Sequence, residues 1–451
     1  MELGRFADKV ASMVSNHEQR VLLIVHQLDP DCSMESRLSW FRVLHAASVY
    51  PTTVVCAHVT PNCQYRLSDM APRTRVLELP HSRFENFLIR FGLFYLAYRL
   101  WHHRVLRSVQ SIHRRQPFSL VHQVSFCGYR EPGECWKLGV PFVWGPLGGT
   151  QNLPWNFLWQ LGFPSVLGEF FRNIVNSFQL RFSLRVRRAM RTASLAFAAN
   201  RAVQRSILHT HGRELPVQLE TGIDKISSTP RKLRVAKAPL KILWAGRLES
   251  WKGLPLLLKA LAQLPAEVAV EVRILGNGKL ANSFRKLSDS LGLSEKITWE
   301  GWPPYTSRDT YYEWADVLAF TSLRDTSGTG LLEALAAGVP IVGLDHQGAH
   351  DIMTPECAVA IPVENPVQVA ADFSKAIANI SQDSHLLLMM SRCARERAQH
   401  YLWEGIGERM LAEYDLVLAK MPISSAVVSR DPSIFDIPPR HAQTVAFRGE
   451  P

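Results

Sequence analysis

Hydrophobic residues in this chain fall into short, continuous runs that alternate with longer segments of helical period. Runs rich in Val, Ile and Leu, without strict alternation, are typical of strands that are buried on both faces of a parallel sheet. In the first half the predicted strands are VLLIVH (21–26), TTVVCAHV (52–59), RVLEL (75–79), LVHQVS (120–125), PFVWG (141–145) and LAFAAN (195–200). In the second half they are KILWAG (241–246), VEVRILG (270–276), KITWEG (296–301), VLAFTS (317–322), PIVGL (340–344) and AVAIPV (358–363). Because strands and helices alternate in both halves, the sequence predicts an α/β fold of two doubly wound, Rossmann-like domains that face each other across a cleft.

Polar stretches between these runs indicate where the domains begin and end. The segment DKISSTPRKLRVAKAP, residues 224–239, is polar, basic and contains prolines, so we interpret it as a linker. It separates an N-terminal domain, residues 1–223, from a C-terminal domain, residues 240–400. A helix over 401–420 is expected to pack back on the N-terminal domain, and the tail 421–451 has little periodicity and is expected to be loosely held. Ligands of open α/β sheets bind at the carboxyl ends of the strands, so the cleft is the expected site.

The composition is that of a soluble globular protein. The 451 residues are 47% hydrophobic and 20% charged, which is ordinary for folded domains with sizeable cores. The seven cysteines form no CxxC pair, so reduced thiols in a cytosol are expected rather than disulfides. The first residues, MELGRFADKVASMVSNHEQR, contain no signal-peptide apolar region, and no apolar run reaches membrane-spanning length. A cytoplasmic location is therefore expected.

The net charge of +11 is unevenly spread, because two basic stretches contain no Asp or Glu. Residues 86–130 contain seven Arg and residues 170–213 contain nine, and both stretches are rich in large apolar side chains. Helices of this kind suit the surface of an anionic membrane. Core helices whose Arg stems cover their edges would have the same composition, so both interpretations stay open. No DNA- or RNA-binding module is visible, and nucleic acid is not an expected partner.

The stretch DTSGTGLLEALAAGVPIV, residues 325–342, joins a polar, glycine-containing loop to an apolar helix. LLEALAAG has strong helix formers and ends at a glycine with a proline soon after, which predicts a helix with the polar residues at its start. The first four N–H groups of a helix lack partners, and its dipole favours an anion. Glu333 lies within an otherwise apolar segment and needs a partner. The segment therefore predicts a site for an anion that carries a hydroxylated group.

Two loops that follow other predicted strands add cations and glycines. KILWAGRLESWKG offers Gly246, Arg247 and Lys252 after its strand, and Arg and Lys are common partners of phosphate oxygens. RILGNGKL places Gly276 and Gly278 directly after the next strand. These glycines form either a tight turn or a surface that a flat ligand can approach closely.

In this order, the Arg-x4-Lys pair, the glycine turn and the acids Asp325 and Glu333, which are separated by seven residues, resemble glycosyltransferase family 4. Its members are two-domain enzymes of the GT-B architecture that transfer a sugar from a nucleotide sugar with retention of configuration. The resemblance covers about residues 241–363, and in the first half it is carried by GVPFVWGPLGG (139–149) and LETGID (219–224). It implies that the C-terminal domain binds the donor and the N-terminal domain binds the acceptor.

The resemblance implies a role for each matching residue. Arg247 and Lys252 would hold the donor diphosphate with the N–H groups of loop 327–330, and Glu333 would bind the ribose. Asp325 would contact hydroxyls of the donor sugar, although the family commonly has Glu at this position. The expected catalytic residues are Asp325, Glu333 and His122. The expected donor-binding residues are Gly246, Arg247, Lys252, Gly276, Gly278, Trp302, Ser327, Gly328, Thr329, Gly330 and Leu331.

The N-terminal domain offers fewer candidates. His122, in the strand LVHQVS, is a candidate for the side chain that family members often place near the anomeric carbon, and the alternative is a buried histidine that is hydrogen-bonded to the backbone. Gly148 and Gly149 either admit an acceptor or phosphate, or form a plain turn. The family's usual Gly-Gly in the first loop is absent, and DPDCSMESR (29–37) stands in its place.

A metal site has two weaker candidates. Asp29-Pro30-Asp31 forms a DxD motif after the first strand, and His346 and His350 have HxxxH spacing. An acid-rich turn is ordinary in a first βα loop, and the histidines lack an evident third ligand, so no metal is expected. Cations and a helix N-terminus can stabilise a leaving diphosphate by themselves. No cofactor is expected, because the nucleotide sugar is a substrate.

The sequence thus predicts a retaining, metal-independent glycosyltransferase that acts in surface polysaccharide or glycolipid biosynthesis. The expected partners are a nucleotide-sugar donor and a saccharide or lipid-linked acceptor, at the inner face of the membrane if the basic helices contact lipid. A non-catalytic nucleotide-sugar binding protein and a transferase for a small soluble acceptor are the alternatives. An oxidoreductase would need a GxGxxG motif with an acid at the next strand end, and neither is found.

Overall fold

The computed structural model describes most of the chain apart from both ends and a few internal positions. The described residues are 19–160, 162–229, 231, 233–235, 238–304 and 307–420. The tail predicted to be loosely held, residues 421–451, and the first 18 residues of the predicted N-terminal domain lie outside this part. The predicted linker lies within it only in part.

Two six-stranded sheets form the framework of the molecule, and every strand pair within them is parallel. The first sheet has the order β5-β3-β1-β6-β7-β8 and the second β11-β10-β9-β12-β13-β14. Both sheets have the strand order of the Rossmann fold. The first three strands are added to one side of the sheet, and the next three are added to the other side, beginning next to the first strand. The strands of the first sheet are β1 (Val21–Ile24), β3 (Thr52–Cys56), β5 (Thr74–Glu78), β6 (Leu120–Gln123), β7 (Phe142–Leu147) and β8 (Leu195–Ala198). Those of the second are β9 (Leu240–Ala245), β10 (Val270–Leu275), β11 (Ile297–Gly301), β12 (Val317–Phe320), β13 (Ile341–Leu344) and β14 (Ala358–Ile361).

Each strand predicted from the hydrophobic runs is present in these sheets. The run over residues 52–59 is divided, because β3 ends at Cys56 and a separate short strand β4 (His58–Val59) pairs with β2 (Gln27–Leu28). This two-stranded ribbon was not predicted, since strands of two residues leave no periodicity to detect.

Helices cover the faces of both sheets. In the first half they are α1 (Met34–Val49), α2 (Pro61–Met70), α3 (Arg83–Arg90), α4 (Phe94–Arg115), α5 (Phe163–Phe182), α6 (Leu184–Thr192) and α7 (Arg201–His211). In the second half they are α8 (Leu254–Ala262), α9 (Ala281–Ser290), α10 (Arg308–Trp314), α11 (Thr329–Ala336), α12 (Gln347–Ile352), α13 (Pro366–Gln382), α14 (Ser384–Ala398) and α15 (Trp403–Ala419). Single turns of 3-10 helix span Cys135–Lys137, Ser250–Lys252 and Gln399–Tyr401, and a longer one spans Trp155–Gln160.

The last helix, α15, belongs to the second half of the sequence but packs on the first sheet. Its residues Trp403, Ile406 and Met410 are buried in one core with residues of β1, and Trp403 stacks on Phe41 of α1 with ring centroids 4.7 Å apart. Each buried apolar side chain of this size contributes about 1.5–3 kcal/mol relative to an exposed one. The chain returns at Ile223, whose N–H donates to the carbonyl of residue 401 and whose carbonyl accepts from Trp403. This return crossing ties the two halves together.

Candidate active site

The loop that follows β12 leads directly into helix α11, as the apolar pattern of the sequence predicts. Gly328 adopts the left-handed conformation, φ 56°, at the N-cap position, where residues with a side chain are disfavoured. Its N–H donates to Asp325 Oδ1 at 3.2 Å. Leu331 and Leu332 are buried in the core under the helix. The Gly328–Asp325 hydrogen bond therefore fixes the loop at the start of α11, and the buried leucines fix the helix on the core.

Lys252 and Asp325 form an ion pair at this helix start, although they lie on different loops. Lys252 ends the 3-10 turn after β9, and its carbonyl accepts from Thr321 Oγ1 at 2.8 Å. Burial by itself would raise the pKa of Asp325, but the Lys252 ammonium and the Gly328 N–H hold that pKa below its ordinary value. The carboxylate is thus charged, and it neutralises the Lys252 ammonium.

Two guanidinium groups flank the same site. Arg247 lies 5.5 Å and Arg324 lies 4.9 Å from the ring centroid of Trp251, distances at which a cation is attracted to an aromatic face. Arg324 also forms an ion pair with Glu169 of the N-terminal domain. Arg247 and Lys252, the cationic side chains predicted to bind phosphate, therefore lie on one loop next to the start of α11.

Glu333 lies one turn into α11 beside a cavity of about 280 Å³. The cavity is lined by residues 222–229 and by side chains that include Asp309, Tyr312 and Thr329. The Tyr312 hydroxyl donates to Glu333 Oε2 at 2.6 Å. Burial raises the pKa of Glu333, and the tyrosine hydrogen bond only partly offsets it. The acid that the sequence analysis expected to need a partner has one, and it also borders a space of ligand size.

The glycines after β9 and β10 have a packing reason. A Cβ at Gly276 would lie 1.9 Å from the carbonyl oxygen of Gly246, and one at Gly278 would lie 2.5 Å from that of Leu248. These contacts explain the glycines by the close approach of two loops, and the donor-binding role of the glycines stays a prediction.

Trp302, another predicted donor-binding residue, is 52% exposed. The guanidinium of Arg308 lies 4.7 Å from its ring centroid.

His122 lies apart from this group. Its ring is fully buried in β6, Nε2 lies 2.7 Å from the Gly145 carbonyl oxygen, and Nδ1 is hydrogen-bonded to the Tyr414 hydroxyl of α15. Burial lowers the pKa of His122 to about 3, so the ring is neutral. With both nitrogens engaged in the core, the contacts are those of the buried histidine that the sequence analysis held as the alternative to a catalytic one.

Two acids of the N-terminal domain were missed by the sequence analysis, and one of them, Glu220, contacts the loop before α11. Glu220 is hydrogen-bonded to the hydroxyl of Ser327, and burial raises the pKa of Glu220 to about 7. The pKa of Glu35 is also raised by burial, and its carboxylate accepts from the Cys127 N–H at 3.1 Å. Glu220 lies within LETGID, but nothing in its spacing separates it from an ordinary surface acid.

Gln347 was also missed, although it lies in the segment DHQGAHD that was considered for HxxxH spacing. Its side-chain oxygen accepts from the Asp325 N–H at 2.9 Å, and its amide donates to the Asn152 carbonyl at 2.9 Å. Its backbone is left-handed, φ 52°, which is uncommon for a residue with a side chain. This side chain bridges the two domains and positions the loop that carries Asp325.

Gly148 marks another close contact between the domains. A Cβ at Gly148 would lie 2.7 Å from the Thr326 side chain, and the Thr326 carbonyl accepts from the Asn200 side chain at 2.7 Å. The glycine therefore lets the loop before α11 approach β7 and its following turn. The helix start is thus one of the places where the two domains are in contact, together with the Arg201–Asp351 and Asn156–Glu364 hydrogen bonds.

Three of the four candidate metal residues, Asp29, Asp31 and His350, have other partners, whereas His346 Nε2 is buried without a hydrogen-bond partner among the described residues. Asp29 Oδ1 accepts from the Asp31 N–H at 2.9 Å, and Asp31 pairs with Arg66 at 3.2 Å. His350 Nδ1 lies 2.6 Å from Asp345 Oδ1. Within the described ranges, no three His, Cys, Asp or Glu side chains are grouped as a metal site would require. Within the same ranges, none of the helices combines the length and the apolar character needed to cross a lipid bilayer.

Part of the chain is similar in sequence to known proteins. The family profile "Glycosyl transferases group 1" matches residues 226–400. The putative colanic acid biosynthesis glycosyltransferase WcaL of Escherichia coli K12 is 27% identical over 198 residues, which are 42% of this chain and 48% of WcaL. The lipopolysaccharide core biosynthesis glycosyltransferase LpsE of Rhizobium meliloti is 28% identical over 162 residues, 36% of this chain and 45% of LpsE. The chain thus spans about half the length of the curated relatives it matches.

The similarity of structure extends over both halves. Anabaena HepE in complex with UDP matches 88% of this chain and 100% of its own with a TM-score of 0.58 and 17% sequence identity. At this identity the likeness concerns the fold, which is the GT-B arrangement of two Rossmann-like halves. The fold class predicted from the sequence is confirmed.

Proposed function

We propose that this chain is a retaining, metal-independent glycosyltransferase of family 4 that transfers a sugar from a nucleotide sugar to a lipid-linked or growing saccharide. The observation that carries the proposal is the junction of Lys252 with Asp325 at the start of α11, beside the cavity that Glu333 borders. The match to the group 1 family profile supports it. So does the similarity to WcaL and LpsE, which are both named as glycosyltransferases.

In this proposal the donor diphosphate binds at the helix start. Lys252 and Arg247 supply positive charge, and the first N–H groups of α11 donate to phosphate oxygens. Negative charge grows on the diphosphate as the bond to the sugar breaks, and donors that are already fixed in position stabilise that charge most effectively. Asp325, the ion-pair partner of Lys252, turns to the hydroxyls of the donor sugar when the phosphate pairs with Lys252 instead. Anabaena HepE, which shares the fold, binds UDP and UDP-glucose.

The nucleoside occupies the cavity beside Glu333. Its carboxylate accepts hydrogen bonds from the ribose hydroxyls, and the half-exposed ring of Trp302 offers a stacking surface for the base. Arg308 connects the two, because it lies over Trp302 and its charge acts on Glu333. The base itself, uracil, guanine or adenine, is left to experiment.

The acceptor approaches from the N-terminal domain, where Glu220 lies next to Ser327. With a pKa of about 7, this carboxyl can hold or release a proton near neutral pH and hydrogen-bond an acceptor hydroxyl in either state. Exposed aromatic side chains on α3, α4 and α5, among them Phe87, Tyr95 and Phe178, belong to the basic stretches of the sequence. We infer that these helices rest on the inner face of the membrane, where lipid-linked saccharides are held.

Turnover and binding assays test the proposal together. Thermal-shift screening with UDP, GDP and ADP identifies the nucleotide, and release of that nucleotide from its sugars then measures transfer. Asp325→Ala and Glu333→Ala should each remove most turnover, whereas Glu295→Ala, an exposed acid of the same domain, should have little effect. EDTA should leave the rate unchanged, and NMR of the product should show retained anomeric configuration. Nucleotide-sugar binding without turnover on any saccharide or lipid-linked acceptor would favour the non-catalytic binding protein instead.

A further inference from the structure

A second cavity lies in the N-terminal domain, away from the cavity beside Glu333. It has a volume of about 300 Å³ and lies between helices α4 and α5. Its polar lining includes Arg99, Arg130, Arg172 and Glu131. Three guanidinium groups against one carboxylate make this the kind of space that favours an anion. We call it the arginine pocket.

The single acid of the lining is already neutralised. Glu131 Oε1 accepts from Arg99 Nε at 2.7 Å, and its Oε2 accepts from Arg185 Nη1 at 2.7 Å. Two guanidinium groups therefore share one carboxylate. The charge of the remaining arginines of the pocket is not offset by it.

Arg130 and Arg172 have neutral hydrogen-bond partners instead. Arg130 Nη2 donates to Asn176 Oδ1 at 2.7 Å, and Arg172 Nη1 donates to the Gln151 carbonyl at 3.3 Å. Neither of the two forms an ion pair with a described carboxylate. Arg130 Nε is buried without a partner, which leaves a donor unsatisfied. Burial, together with the charge of Arg324, lowers the pKa of Arg172 to about 10, and the charge of Glu169, which is paired with Arg324, opposes this only in part. Two guanidinium groups that donate to neutral acceptors at a partly enclosed space make it a suitable site for an anionic ligand.

The mouth of the pocket is apolar. Tyr95 and Val175 belong to its lining and are 56% and 47% exposed. Along α5, Phe171, Ile174 and Phe178 are also exposed, and they follow helical spacing next to the stripe that carries Arg172. A small soluble anion would gain nothing from apolar side chains around the pocket. A hydrocarbon chain attached to the anion would, because its transfer from water onto apolar side chains is favourable. The combination fits an amphiphile with a phosphorylated head.

The arginine pocket is connected to the candidate active site. Arg172 is close enough to Arg324 for their charges to interact, and Arg324 pairs with Glu169 and lies over Trp251 beside Arg247. Gln151, whose carbonyl accepts from Arg172, also contacts the Thr326 hydroxyl through its side chain at 3.4 Å. A head group bound here would therefore hold an attached saccharide near the start of α11.

We propose that the arginine pocket binds the phosphate or diphosphate of a lipid-linked acceptor, with the hydrocarbon chain lying on the exposed faces of α4 and α5. This inference rests on the proposed function for the identity of the acceptor. The anion is recognised by Arg130 and Arg172, because among the described residues neither of these pocket cations has a carboxylate within ion-pair distance. The apolar border distinguishes a lipid phosphate from a soluble one.

Vesicle sedimentation tests the pocket without any turnover. The probes are phosphatidylcholine vesicles that contain a polyprenyl diphosphate, and vesicles of matched charge that contain phosphatidylglycerol. Wild-type protein should bind the first kind about tenfold more tightly or better, since each charge-assisted contact to a phosphate is worth roughly a factor of ten. The double variant Arg130→Gln/Arg172→Gln should lose this preference, and Arg130→Lys/Arg172→Lys should keep part of it. The control Arg188→Gln/Arg205→Gln changes the same charge at exposed positions and should keep it fully.

The outcomes separate this proposal from the proposed function. Equal binding by the wild type and the Gln double variant overturns the pocket, as does the absence of any preference for the diphosphate lipid. If inorganic diphosphate competes as strongly as the diphosphate lipid does, the proposed hydrocarbon contacts on α4 and α5 are wrong and the ligand is a soluble phosphate. A cooperative thermal unfolding transition, measured on every variant without added ligand, shows that the protein is folded. Failure of all nucleotides to bind wild-type protein would refute the proposed function but leave the vesicle result valid.

Discussion

Replacing Lys252 by Ala should weaken binding of the donor nucleoside diphosphate by about ten- to a hundredfold. Lys252 is the cation at the start of α11, with its side chain 21% exposed and its partner Asp325 19% exposed. A hydrogen bond between charged groups in such partly buried surroundings is worth about 1.5–3 kcal/mol, and 1.4 kcal/mol corresponds to a factor of ten. The variant also leaves Asp325 without its cation, so that its charge repels the diphosphate. Replacing Asp325 by Asn in the Lys252→Ala background should therefore recover part of the lost affinity.

Isothermal titration calorimetry with the nucleoside diphosphate chosen by thermal shift measures this effect. The free nucleoside, which has no phosphate, should bind wild-type protein and Lys252→Ala equally, because Lys252 acts on the diphosphate alone. Lys286→Ala removes the same charge from an exposed position of α9 and serves as the control. If Lys252→Ala changes the affinity less than twofold, or if Lys286→Ala lowers it as much, then Lys252 does not hold the diphosphate and the site assignment is wrong.

Three further predictions concern the ribose site, the return helix and a titrating acid. Glu333→Gln should weaken a nucleoside about tenfold more than the same nucleoside without its ribose hydroxyls, as titration of both ligands would show; equal losses would contradict ribose binding. Met410→Ala should lower the free energy of unfolding by about 2–5 kcal/mol, because it leaves a cavity under α15, whereas Met389→Ala at an exposed position should change urea denaturation little. The raised pKa of Glu220 means that the folded protein binds a proton there more tightly than the unfolded chain does, so stability falls as the pH rises from about 4.5 to about 7. Glu220→Gln should remove that fall, which is at most about 1.4 kcal/mol per pH unit, and identical pH profiles of thermal stability for both proteins would rule out the titration.

The fold was predictable because its strands and helices follow from local patterns of hydrophobic and polar residues. Continuous Val, Ile and Leu runs located the strands of both sheets, since a strand that is covered on both faces has no polar alternation. The start of α11 after the loop that begins at Asp325 was equally predictable, because a glycine-rich polar loop before an apolar segment is a local signal. The loop with Arg247 and Lys252 also follows its strand as expected. Each of these features depends on residues that are neighbours along the chain.

Other parts of the site depend on contacts between distant segments. Glu220 reaches Ser327 across 107 positions of sequence, and Gln347 reaches Asn152 across 195. Glycine spacing after β10 was compatible with a ligand, but only the packed loops reveal that Gly276 makes room for the carbonyl of Gly246. His122 could be placed in a buried strand, and only the return of α15 supplies the Tyr414 hydroxyl that occupies its ring.

The sequence by itself determined two parallel, doubly wound sheets and the cations and acids that follow their strands, because hydrophobic burial and helix termini act over a few residues. Tertiary structure decided which side chains meet: Lys252 with Asp325, Glu220 with Ser327, and the arginines of α4 and α5 around one cavity. The physical reason is that ion pairs and cavities depend on distances in space, and those distances are fixed when the sheets and helices pack against one another.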